Sequence, residues 1–285
     1  MIEQVVVGID GSDYSLSAFQ YAEHFAAKLG CELKAVFVID SRKTELPIIY
    51  ATGHFDYAFA RTYIPPDPEL KGFYNKIKKD LEGFAANCLK TCEESCKKSK
   101  IPFIAIQREG LPSQVLSEES RSGDLLFIGQ KGENARFART IVGSTAEDVV
   151  RSSPRPIMVC PQAFRTPEKI LFPYDGSLNA ERALQFCVNA FGTFWKEFLI
   201  LSSEEEKEEG LTEREHRYLS KHAIDHRLVT EKGSPIDTVI EVAEREESDL
   251  LLIGSHGTHK IRDYILGSTT VHLLRRSPLP VLIVY

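Results

Sequence analysis

The chain has 285 residues, a hydrophobic fraction of 42% and a formal net charge of −6, with a pI of about 5.8. That length suits two domains of ordinary size, each able to bury its own core. The acidic balance argues against a nucleic-acid footprint, and no apolar run approaches the ~18 residues that a membrane-spanning helix needs.

The opening MIEQVVVGIDGS lacks a basic region followed by an apolar stretch and a small-residue cleavage site. The expectation is a cytoplasmic protein whose six cysteines are reduced. In chain order, Val5–Ile9 reads as a buried strand, and Asp10-Gly11-Ser12 as the turn after it. Leu33–Ile39 is a second strand. The segment 41–70 follows, with Tyr50, Phe55, Tyr57, Phe59 and Tyr63 and the pair Pro65-Pro66. Its aromatics argue against disorder, and loops of this length are usually functional. It leaves the carboxyl end of a strand, so lidding a pocket and packing on the other half both remain open. A helix is predicted over roughly Leu70–Lys98. Strands are predicted at Phe103–Gln107, Leu125–Ile128 and Ile157–Val159, and a short linker near Pro161–Pro167.

The second part of the chain repeats the first. VVVGIDGSDYSLSAFQYA (5–22) is answered by ILFPYDGSLNAERALQFC (170–187), and GDLLFIGQKG (123–132) by SDLLLIGSHG (248–257). VGSTAEDVVRSSPRPIMV (142–159) is answered by LGSTTVHLLRRSPLPVLI (266–283). A repeat of half the chain means two copies of one domain, here 1–162 and 168–285, with an insertion at about 41–70 in the first. In the second copy Lys169–Tyr174 is a strand, Ser177 a helix cap, and Phe194–Leu201 a second strand. A weak helix is predicted near Glu213–His222 and a strand at Ala223–Thr230. Pro235–Glu247 is a helix with Ser234 as its cap. A strand at Asp249–Ile253, a helix over 268–276 and a strand at Pro280–Tyr285 complete the copy. Strands alternating with helices imply parallel pairing and right-handed crossovers. Unalternated runs such as LLLI and VLIV fit a sheet covered on both faces.

In such sheets ligands bind at the carboxyl ends of the strands. Three segments of each copy converge there: the Asp-Gly-Ser turn, the end of the fourth strand (Gly129 to Gly132, Gly254 to Gly257), and the next helix start (Gly143-Ser144-Thr145, Gly267-Ser268-Thr269). Glycines let backbone approach a phosphate, and a helix start favours an anion. The same residues also serve as turn punctuation and helix caps. The spacing Gly254-x2-Gly257-x9-Gly267-Ser268, the Asp-Gly-Ser turn and the ending S-P-x-P-V-L-I-V resemble the universal stress protein family, twice over.

That resemblance implies, in each half, an open α/β fold with a parallel five-stranded sheet of order 3-2-1-4-5 and helices on both faces. It also implies a stress-response role and binding of ATP or another adenine nucleotide, with no metal beyond the Mg2+ that accompanies ATP. Asp175 would contact adenosine, and Gly254, Gly257, Gly267, Ser268 and Thr269 would hold phosphates. In the first half Asp10, Gly129, Gly132, Gly143 and Ser144 remain, but ten residues separate Gly132 from Gly143, one more than in the second half. Nucleotide binding is therefore expected mainly in the second half. In the first half Arg136 and Arg139 could reach a phosphate, while EEEKEE (204–209) follows the second strand of the second half.

Two further readings stay open, an interaction scaffold with degenerate pockets and a slow ATPase. No general base stands out, and the Gly-x4-Gly-Lys-Ser/Thr loop is missing from the sequence. Cys88, Cys92 and Cys96 share a helix face and are better read as core residues than as a metal or redox site. His222 and His226, four apart, are a weak zinc pair. His256 and His259 flank the glycine loop. The final strands Pro156–Cys160 and Pro280–Tyr285 are apolar edges, and such edges are normally covered. Joining them makes an intramolecular pseudo-dimer. A homodimer is allowed, and neither nucleic acid nor membrane is expected as a partner.

Overall fold

The structure, a computed structural model, describes residues 2–44, 54–57, 60–63, 68–132, 143–203, 211–232, 235–255 and 268–285. Its first strand, β1 (Gln4–Ile9), is buried at nearly every position, as a strand covered on both faces must be. α1 (Asp13–Leu29) begins at Ser12, whose side chain accepts from the Ser15 N–H, and ends at Gly30 in the left-handed region. β2 (Glu32–Asp40) runs parallel to β1. β3 (His54–Tyr57) and β4 (Ala60–Tyr63) then pair antiparallel as a small separate sheet. This hairpin was not predicted. α2 spans Pro68–Ser99, close to the helix expected from the sequence. β5 (Phe103–Gly110), α3 (Pro112–Ser120), β6 (Leu125–Gly129), α4 (Ser144–Ser152) and β7 (Ile157–Cys160) complete the first half.

The second half repeats the order. β8 (Lys169–Pro173) leads to α5 (Leu178–Phe191), capped by Ser177, whose side chain accepts from the Ala180 N–H. A short 3-10 turn, Gly192–Phe194, precedes β9 (Glu197–Ser203). α6 (Leu211–Lys221), β10 (His226–Glu231), α7 (Pro235–Arg245), β11 (Leu250–Gly254), α8 (Ser268–Arg276) and β12 (Val281–Val284) follow.

Each half has strand order 3-2-1-4-5, as β5-β2-β1-β6-β7 and β10-β9-β8-β11-β12. The two are joined into one ten-stranded sheet because β7 and β12 pair antiparallel, with Val281 opposite Val159, Leu282 opposite Met158 and Ile283 opposite Ile157. The apolar edges read from the sequence thus cover each other. One core lies on the face carrying α1, α2, α5 and α6 and is dominated by Phe25, Phe127, Phe172 and Phe198. The other lies under α3, α4, α7 and α8, around Leu116, Val149, Val239 and Leu273.

Two boundaries differ from the sequence reading, for local reasons. The sequence predicts a strand from Phe194, but the strand begins at Glu197. Phe194 and Trp195 instead close an aromatic cluster across the seam, with Phe25 stacked on Phe194 at 4.9 Å and 5.9 Å from Trp195. α6 stops at Lys221 and Ala223 takes a left-handed φ of 54°, so the strand begins only at His226. The expected linker is docked on α1: Phe164 packs edge-on against Tyr21 at 4.7 Å, and the Arg165 N–H donates to the Tyr21 hydroxyl.

Candidate functional site

The first half places its glycine turns around one cavity of about 290 Å3. The floor is the carboxyl end of β1. The Asp10 carboxylate there accepts from the Ser12 N–H at 2.9 Å and from its hydroxyl at 2.6 Å. This double contact holds Asp10 at the strand end and Ser12 in its capping rotamer. The other carboxylate oxygen, Oδ2, is turned toward Gly132, where a Cβ would stand 2.8 Å away.

The second wall is the loop after β6. The Gln130 N–H donates to the Cys160 carbonyl at 2.8 Å, and the Gly143 N–H to the Gln130 carbonyl at 3.0 Å. These bonds bring Gly143, and with it the start of α4, back to the loop. Ser144 and Thr145 line the cavity from the first turn of that helix, where unpaired backbone N–H groups and the helix dipole favour an anion. At Gly129 a Cβ would meet the Tyr14 Cβ at 2.8 Å. Only glycine allows the loop to press so closely on α1. Gly254 is the counterpart in the second half, tighter still at 2.5 Å from the Asn179 backbone.

The rim is basic. Arg42, Lys43 and Lys131 line the cavity, with Asp10 and Asp40 as its carboxylates. Arg42 is bidentate on Asp40, at 2.6 and 2.9 Å. Burial raises the Asp40 pKa, but the Arg42 hydrogen bonds outweigh it and leave the carboxyl below its ordinary value. The Lys131 ammonium stands 5.9 Å from the centre of the Tyr14 ring.

All five first-half residues expected from the sequence, Asp10, Gly129, Gly132, Gly143 and Ser144, line this single cavity. In the second half, Asp175 and Gly254 sit at the carboxyl ends of the adjacent strands β8 and β11. The Asp175 carboxylate accepts from the Ser177 N–H at 3.0 Å, as Asp10 does from Ser12. The Ser255 N–H donates to the Val284 carbonyl at 2.7 Å, matching Gln130 on Cys160. Ser268 and Thr269 open α8. Gly257, Gly267, His256 and His259 lie outside the described residues, as do Arg136, Arg139 and the acidic run 204–209.

Sequence reasoning missed Arg42, Lys43, Leu81 and Phe84 as cavity residues. Arg42 and Lys43 carried a readable signal: they follow a predicted strand end on the ligand side. The cysteines behave as core residues. Cys92 and Cys96 are buried, and burial pushes both thiols up to about 12. Cys88 is half-buried, its thiol raised by burial and then by Asp10. His226 pairs with His216, Nε2 to Nδ1 at 2.7 Å, and not with His222, whose ring lies on Tyr218.

Comparison with known proteins gives one consistent result. The sequence pattern of the Universal stress protein family matches residues 1–161 and again 167–285. The universal stress protein Slr1230 of Synechocystis is 26% identical over 293 aligned positions, covering 99% of both chains. A crystal structure of a universal stress protein from Archaeoglobus fulgidus superposes with a TM-score of 0.70 at 21% identity, over 98% of this chain and 97% of that one. A Pseudomonas aeruginosa protein of unknown function, PA1789, gives 0.63 at 14% identity, over 99% and 92%.

Proposed function

The chain belongs to the universal stress protein family, and from that premise we propose that it is a stress-response regulator whose state is set by a bound adenine nucleotide, ATP or a close relative. The observation that carries this reading is the first-half cavity. It is a concave site of about 290 Å3, at the lower end of the roughly 300–1,000 Å3 range of small-molecule sites. It combines a helix start, close-approach glycines and three cationic side chains with one apolar wall. The donor set suits a phosphate chain: the first-turn N–H groups of α4, the Ser144 and Thr145 hydroxyls, and Lys131. Asp10 lines the same cavity, its Oδ2 turned toward Gly132, and would accept from a ribose hydroxyl or a base amine.

The first half thus takes a larger share of the reading than its spacing alone gave it. The second half keeps the intact Gly254-x2-Gly257-x9-Gly267-Ser268 spacing and the matching Asp175 turn, and we assign it a nucleotide site on that ground. When ATP is bound it brings Mg2+ with it, and the protein itself supplies anchoring groups rather than a base to activate water. The role is that of a sensor, in which occupancy matters more than turnover.

The experiment is calorimetric titration of the full chain with Mg-ATP, alongside mass spectrometry of any ligand released from the purified protein. Two sites per chain are expected. Gly143→Val and Gly267→Val should each remove one, because a branched side chain at the helix start occupies the phosphate position. No heat, no released nucleotide and no thermal shift with ATP would refute the reading.

A further inference from the structure

Phe84 is an unexplained residue in the first-half cavity. It lies on α2, in the part of that helix with no counterpart in the second half: α2 has 32 residues and α6 has 11. Where the second half approaches α6, the sequence is the acidic EEEKEEG (204–210). Phe84 is 46% exposed, a costly place for a large apolar ring, and it lines the cavity beside Leu81. Its orientation is fixed from two sides. The Phe37 ring meets it edge-to-face at 6.0 Å. Gly11, at a left-handed φ of 81°, presents no side chain, and a Cβ there would lie 2.4 Å from the ring Cζ and 2.7 Å from Cε1. The next atom to such a Cβ is the Cys88 sulfur at 3.4 Å. The ring therefore meets Gly11 by its edge, which keeps its faces clear of that turn.

We infer that Phe84 is the base-stacking, specificity-determining residue of the first-half site, so that this site takes a purine nucleotide and discriminates against phosphate chains without an aromatic base. The inference rests on the nucleotide reading above. The chemistry divides along the cavity. Ser144, Thr145 and Lys131 lie at the phosphate end. Asp10 links that end to Phe84: its Oδ2 is turned toward Gly132, and the Gly11 turn that follows it abuts the Phe84 ring, which lines the same cavity. A flat π-system there gains a stacking partner already held by Phe37 and Gly11, so little ordering is lost on binding. Stacking a base on an aromatic side chain is worth about 1–3 kcal/mol by alanine substitution, or roughly 5-fold to 150-fold in affinity. A purine offers a larger face than a pyrimidine, which sets the direction of preference.

The test uses the full chain. Calorimetry with Mg-ATP, Mg-CTP and inorganic tripolyphosphate is run on wild type, Phe84→Ala and Phe84→Tyr. Phe84→Ala should weaken one of the two ATP sites by at least 5-fold, leave tripolyphosphate unchanged and reduce the preference for ATP over CTP, while Phe84→Tyr restores wild-type behaviour. As a second readout, Phe84→Trp adds an emitter whose signal above that of Trp195 should be quenched by ATP at the same midpoint as the calorimetric titration. Unchanged ATP binding in Phe84→Ala, or ATP binding that leaves emission at position 84 untouched, overturns the stacking assignment while the nucleotide reading stands. Wild type that binds no nucleotide overturns that reading itself.

Discussion

The side-chain amide of Gln130 donates to the Leu274 carbonyl at 2.6 Å, across the seam between the halves. The same group reaches the Ser277 carbonyl at 3.4 Å. Gln130 belongs to the glycine loop of the first-half cavity, and Leu274 lies in the last turn of α8, where helix carbonyls lack intrahelical donors. The loop of one copy thus caps a helix of the other. Ser255, at the matching place in the second half, is too short to reciprocate. Gln130→Ala should lower stability by about 1 kcal/mol, the net worth of such a bond plus part of an exposed carbonyl's loss. Gln162→Ala removes an exposed amide on Asp13 and should cost under about 0.5 kcal/mol. Urea midpoints of both variants decide it, and equal losses would show that the seam bond carries nothing special.

The repeat and five of the first-half cavity residues were legible because they depend on local rules, while the strand order came from the family resemblance. Unalternated apolar runs mark strands covered on both faces, and Asp-Gly-Ser marks a turn with a cap, as Ser12 and Ser177 confirm. What failed depended on tertiary contacts. Phe194 and Trp195 have strand-like composition, yet their position is decided by Phe25 from the other copy. His222 and His226 have helical spacing, yet the chain turns at Ala223 and gives His226 a different partner. Phe84 is 73 positions from Gly11 in sequence, and only the crossover of α2 brings them together. The hairpin of β3 and β4 offered no tight-turn signal, since the sequence between the paired Tyr57 and Ala60 is Ala-Phe.

Phe25 is the hub of the seam's aromatic cluster. It is fully buried and lies 5.4 Å from Phe127, 5.3 Å from Phe191 and 4.9 Å from Phe194, centre to centre. Phe25→Ala should cost about 3–5 kcal/mol, as other large-to-small core changes do. Trp195 is the single tryptophan and packs 5.9 Å from Phe25. Its emission should therefore shift to the red in the folded variant, before global unfolding. An unshifted spectrum with an unchanged midpoint would place the seam's stability elsewhere.

The buried thiols set an alkaline limit. Burial first, then the neighbouring Cys96 and Cys88, pushes the Cys92 thiol from an ordinary 9.0 up to about 12. The folded state keeps this group neutral while the unfolded chain ionises it. Its contribution is thus fully present below pH 9 and is lost as pH rises from 9 towards 12. The slope is at most ~1.4 kcal/mol per pH unit for one thiol. Urea midpoints should fall between pH 9 and 10.5, and Cys92→Ala should flatten that fall while lowering the starting value. A slope unaltered by the substitution would assign the alkaline loss to other groups, Tyr21 and Tyr174 being raised by burial as well.

The last prediction concerns the seam as a whole. β12 is buried along its length, with β11 on one side and β7 on the other. Severed from the first half, residues 168–285 would expose Val281, Leu282, Ile283 and Val284 on an open edge without charges, the kind of edge that recruits another strand. The native pairing there is antiparallel and centred on Leu282 opposite Met158. Antiparallel pairing is what a two-fold axis generates, so a copy of β12 can replace β7 with Leu282 opposite itself. Burial at roughly 25 cal/mol per Å2 of apolar area favours that replacement over exposure. The fragment should accordingly be a dimer at tens of micromolar. Leu282→Lys should reduce its association, because two ammonium groups would then face each other in a dry strand pair. Light scattering that finds a well-folded, strictly monomeric fragment would refute the argument that the edge strands hold the two halves together.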